Sequence, residues 1–130
     1  MPNIALALTV TLMVAMSIAD PALAQEQASS PPTTGVLVVV NVKAGVTRDQ
    51  VMAVMPAEVR ETVQLYLNGK IREWYARSDG RGAVLLLDTK DLAEAHAIMD
   101  GLPLGQSKLV DDEFIAVGPL APLRMLLAKP

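Results

Sequence analysis

Residues 71–118 read IREWYARSDGRGAVLLLDTKDLAEAHAIMDGLPLGQSKLVDDEFIAVG, and they divide into strand, turn, strand, helix, linker and strand. Residues 71–77 alternate in character, residues 83–87 are apolar throughout, and Asp79-Gly80 between them is a strong hairpin signal. Asp91 and Glu94 stand at capping-box spacing. They predict a helix with Leu92, Ala95, Ile98 and Met99 facing inward and Gly101 at its end. Residues 113–117 form a closing strand, which Gly118-Pro119 stops.

Upstream of this stretch, residues 35–42 are β-branched and apolar on both parities, as expected for a central strand covered on both faces. Gly45 turns the chain. Thr47 with Gln50 makes a second capping box and opens a helix. Pro56 is expected to interrupt that helix, because proline removes a backbone donor and clashes with the preceding turn. A second segment, 57–67, then carries Val59, Val63, Tyr66 and Leu67 on one face, and Asn68-Gly69 closes it.

The resulting order, β-α-β-β-α-β, is the ferredoxin-like split βαβ arrangement, an α+β class with a four-stranded antiparallel sheet and helices on one face. Right-handed crossovers place the first and third strands at the centre of the sheet. The third strand is apolar on both parities, so the face without helices needs a cover as well. A second copy of the sheet, packed face to face as a homodimer, is the expected cover.

Along the second strand, Ile71, Glu73, Tyr75 and Arg77 point one way and Arg72, Trp74 and Ala76 the other. The hairpin register puts Trp74 and Ala76 with Ala83, Leu85 and Leu87 under the helices. Glu73, Tyr75 and Arg77 then share the intersubunit face with Val84 and Leu86. A carboxylate, a phenol and a guanidinium in a row supply a base, a proton donor and an anion clamp. The same alternation of charge also keeps an edge strand soluble.

Other candidates are weaker. His96 is the one side chain whose ordinary pKa lies near neutrality, yet it flanks the inward stripe of its helix and reads as exposed. Asp111-Asp112-Glu113 offers oxygen ligands to a hard cation, but consecutive strand residues face opposite ways and the carboxylates do not converge. Met52, Met55 and Met99 fit core packing, and Gly80 and Gly82 serve the turn.

The whole chain has 130 residues, room for one domain, and a formal charge of −3. It holds no cysteine and one histidine, which excludes thiol nucleophiles, disulfides, thiolate metal sites and a several-histidine transition-metal centre within one chain. Neither a metal nor a cofactor is expected. Residues 4–18 form an apolar run, and Asp20-Pro21-Ala22-Leu23-Ala24 follows it. This reads as a signal peptide, 1–24, cleaved between Ala24 and Gln25. The run falls short of the roughly 20 apolar residues that span a bilayer, so no stable membrane anchor is expected after cleavage. Residues 25–34 read as a flexible linker to a domain at 35–130, and the product as secreted or periplasmic. Loss of Asp20 moves the charge from −3 to −2. Scattered basic residues on such a surface offer nucleic acid no footprint.

Several segments together resemble one family: Gly69-Lys70-Ile71-Arg72-Glu73-Trp74-Tyr75, Arg77-Ser78-Asp79-Gly80-Arg81-Gly82, Leu102-Pro103-Leu104, and Phe114-Ile115 through Gly118-Pro119-Leu120. Over residues 36–127 the chain resembles the muconolactone isomerase-like proteins of the dimeric α+β-barrel superfamily. The resemblance implies a ferredoxin-like subunit in a dimer or higher homo-oligomer, and proton transfer within a small unsaturated lactone or enol acid. In that chemistry Glu73 fits the base, Tyr75 the group that stabilises an enolate oxygen, and Arg77 the cation for the substrate carboxylate. The second reading, of a different class, is a non-catalytic accessory protein that holds a small apolar ligand.

Overall fold

The computed structural model describes residues 31–120 and 126–127. The signal-peptide reading, residues 25–30 of the linker, and residues 121–125 and 128–130 of the domain lie outside the described residues. The elements are β1 (Gly35–Val42), α1 (Arg48–Leu67), β2 (Ile71–Ala76), β3 (Ala83–Leu87), α2 (Leu92–Gly101), the single turn α3 (Pro103–Gln106) and β4 (Val110–Val117). The sheet runs β2-β3-β1-β4 with every neighbouring pair antiparallel. This is the ferredoxin-like α+β order, with β1 and β3 central.

Period-two alternation builds the core. Val36, Val38 and Val40 of β1 turn under the helices and are buried there. They meet Leu85 and Leu87 of β3 by register, and Ala95, Met99 and Leu102 cover them. The opposite parity, Leu37 and Val39 of β1 with Val84 and Leu86 of β3, forms the open face, with Ile115 and Tyr75 exposed beside it.

Several sequence expectations need correction: Leu92 and Met52, expected to pack inward, are exposed, and four differences concern the elements themselves. First, Pro56 does not interrupt the helix: α1 is continuous from Arg48 to Leu67. Proline there gives up one hydrogen bond, and the Thr47–Gln50 capping box, present as expected, anchors the start of the helix. Because the helix is unbroken, its inner stripe is also different. Val51, Met55, Glu58 and Thr62 face the sheet, Val59 borders the same cavity but is exposed, and Tyr66 and Leu67 are exposed as well.

Second, β2 carries a bulge at Arg72, between the pairs Ile71↔Leu87 and Glu73↔Leu86. The extra residue reverses the parity, so Ile71 does not share a face with Glu73. It is buried in the core instead. The bulged Arg72 pairs with Asp88 of the β3 end at 2.7 Å and donates to the carbonyl oxygen of Thr34. Third, Glu94 does not complete a capping box. Asp91 caps α2 through Ala93 N–H at 2.8 Å, whereas Glu94 accepts from the Thr89 hydroxyl at 2.7 Å and pairs with Lys70. Fourth, β4 begins three residues earlier than expected, at Val110, because β1 offers a pairing edge as far as Val42.

Candidate functional site

A cavity of about 360 Å³ lies between α1 and the sheet. Its floor is made of small residues, Ala76, Gly80, Gly82 and Ala83, at the hairpin end of β2 and β3. Because the floor has so little side-chain bulk, Val51, Met55 and Val59 of α1 reach towards it without filling the gap. Trp74, the only tryptophan of the chain, stands on the edge strand and forms one wall. Leu85, Met99, Leu104 and Val110 line the inner side.

Among the described residues Glu58 is the one ionisable group that lines this cavity. Its Oε2 accepts the Leu104 N–H at 2.8 Å, which ties α1 to the first turn of α3. The Thr62 hydroxyl donates to the Glu58 backbone carbonyl at 2.8 Å. Burial pushes the Glu58 carboxyl above the ordinary glutamate range, and the charges of Glu61 and Asp112 push it the same way. The hydrogen bond from the Leu104 N–H opposes them. Asp112, on the helix-facing side of β4, is also raised, first by burial and then by Asp100 and Asp111, with His96 opposing. Its Oδ1 is buried without a hydrogen-bond partner.

A raised carboxyl costs stability wherever it must ionise in the fold. The native state holds the proton more tightly than the unfolded chain, so stability should fall as pH rises from the ordinary value of 4.5 through the raised native value. Glu58→Gln keeps the acceptor for Leu104 N–H and removes the charge. Its melting temperature should therefore exceed that of the unaltered protein at about pH 7, and the gap should close at about pH 4. Thermal unfolding of both proteins across this range measures it; a gap independent of pH would refute the assignment.

The side chains singled out from the sequence lie elsewhere. Glu73 and Tyr75 sit on the open face at the β2 edge, and the structure brings them together: Tyr75 Oη donates to Glu73 Oε2 at 2.9 Å. That bond, with the glutamate charge behind it, raises the phenol pKa and keeps Tyr75 protonated. Both border a shallow depression with Tyr66, Arg72 and Trp74. Arg77 is set apart at the hairpin, where it pairs with Asp79 and donates to Asn41 Oδ1 and the Val40 carbonyl. Its guanidinium already has a counter-ion, and Asp79 is held below the usual range, first by the Arg81 N–H and then by Arg77. His96 is exposed on one side and stacks on Phe114 with ring centroids 3.7 Å apart. Asp111 and Glu113 face away from Asp112, and no cluster of three metal-ligating side chains occurs among the described residues.

Glu58 was legible in one respect. It falls on the stripe Val51, Met55, Glu58, Val59, Thr62, which has the three-to-four spacing of one helical face, and a carboxylate on an otherwise apolar stripe is a signal. A helix broken at Pro56 would divide that stripe; the continuous α1 keeps it whole. No protein-family model matches the chain, and no curated protein is similar enough to it to count as a relative.

Proposed function

We propose that this protein binds a small, largely apolar molecule in the cavity between α1 and the sheet, with Glu58 as the polar anchor. The observation that carries the proposal is the cavity itself: about 360 Å³ with apolar walls and a single half-buried carboxyl. A strained ionisable group in a cleft, which a neutral residue would replace at a gain in stability, is what a ligand site looks like when function rather than packing fixes the residue.

Filling the cavity tests the reading. Ala83→Leu adds three carbons to the floor. It should leave the fold intact, keep or raise the melting temperature, and abolish calorimetric binding of a neutral probe such as indane. Undiminished binding to the filled variant would place the site elsewhere.

The catalytic reading belongs to the other face. In a face-to-face homodimer Glu73, Tyr75 and Arg77 would be enclosed by a second sheet, and proton transfer within a lactone or enol acid would use Glu73 as base. The Tyr75–Glu73 hydrogen bond favours it, since it places a proton donor and an acceptor 2.9 Å apart. Arg77 would have to release Asp79 to hold a carboxylate. Export through a leader at residues 1–24, which we also propose, is compatible with either reading.

A further inference from the structure

We infer that the cavity beneath α1 takes a small apolar amine, its hydrocarbon body against Trp74, Val59 and Leu85 and its ammonium group on Glu58. The inference rests on the ligand-binding reading above and names the chemistry of the ligand.

Three observations support it. Among the described residues the lining includes no Lys, Arg or His, so none of them balances an anionic ligand. Apart from the Trp74 indole N–H, the polar side chains of the lining offer acceptors. Glu58 is a carboxyl, and the hydroxyl proton of Thr62 is already spent on the Glu58 carbonyl oxygen. Lastly, Asp112 stands close enough to act on Glu58 electrostatically and has a buried, unpartnered oxygen. The charge of Asp112 adds to that of Glu58, and a cation held on Glu58 between apolar walls offsets it. An alcohol would satisfy the hydrogen bond but leave the charge unbalanced. A carboxylic acid would add a third negative group.

Matched probes separate these cases: 2-aminoindane, indane and indane-2-carboxylate share one ring frame and differ in the charge they carry. Trp74 reports on the cavity, since it is the sole tryptophan and lines it. Fluorescence titration of the full-length protein should show the amine binding about tenfold tighter than indane, or better, and the acid weakest, as expected for a charge-assisted hydrogen bond. Glu58→Gln should remove the amine's advantage over indane. Should that variant fail to fold by circular dichroism, the carboxyl carbon resonance of Glu58 in the unaltered protein serves instead. It should shift with 2-aminoindane and not with indane. Equal binding of amine and indane, or tightest binding of the acid, would overturn the amine inference and leave the ligand-binding reading standing. Failure of all three probes to bind would overturn both.

Discussion

Gly82→Ala should destabilise the domain by about 3 kcal/mol or more, a large part of the 5–15 kcal/mol that holds a small domain folded. A β-carbon at this position would stand 1.9 Å from the Val40 carbonyl oxygen and 2.8 Å from its carbon. Both are backbone atoms of the central strand, so no side chain can rotate to relieve the clash. The φ of +152° adds strain for any L-residue with a side chain. The close approach is what lets the hairpin fold back on β1: Val42 N–H bonds the Arg81 carbonyl at 2.9 Å, and Arg77 N–H bonds that of Gly82. Gly80→Ala is the internal control. Its φ is +69°, but its β-carbon would meet open space, so only the left-handed backbone penalty of roughly 1–2 kcal/mol applies. Urea unfolding of the two variants measures the difference. Equal losses would show that backbone conformation, not the approach to Val40, selects glycine at 82. Since both glycines form the cavity floor, Gly82→Ala should also weaken ligand binding in whatever fraction folds.

How far the fold was legible follows from which forces act locally. The apolar run of β1, the Asp79-Gly80 turn and the Thr47 capping box each specify their element through neighbours in sequence, and the handedness of the crossovers then orders the strands. The hairpin register held from Ala76↔Ala83 to Glu73↔Leu86, which is why Trp74 and Ala76 could be assigned to the helix side correctly. Legibility failed where a distant partner decides. Arg72 bulges out of the ladder in company with Asp88 and Thr34, far from it in sequence. Glu94 gives up its cap for Thr89 and Lys70. The cavity depends on how far α1 stands from the sheet, a distance set by the small residues of the floor and by the Glu58–Leu104 tether, which joins residues 46 apart. No local pattern encodes that separation, although the carboxylate on the α1 stripe marks its place.

The remaining large effect concerns the open face. Leu37, Val39, Val84 and Leu86 form an apolar patch across the two central strands, and Ile115 and Tyr75 extend it outward. An apolar face on the centre of a four-stranded sheet, with the helices all on the other side, is buried most economically by its own copy about a two-fold axis. Leu86→Lys tests this with little harm to the subunit, because Leu86 pairs across the strands with Glu73 and an opposite charge there is tolerated. In a two-fold interface the substitution appears twice, and two ammonium groups are brought out of water towards each other. The expected cost is about 3 kcal/mol or more, a dissociation constant higher by at least two orders of magnitude. Light scattering should find a dimer for the unaltered protein and a monomer for Leu86→Lys at micromolar concentration, with unchanged circular dichroism. The same variant divides the two functional readings. Ligand binding beneath α1 lies on the far side of the sheet and should survive dissociation, whereas proton transfer by Glu73 and Tyr75 needs the covered face and should disappear with it. A monomeric unaltered protein would remove both the dimer and the catalytic reading that depends on it, and leave the cavity as the site of action.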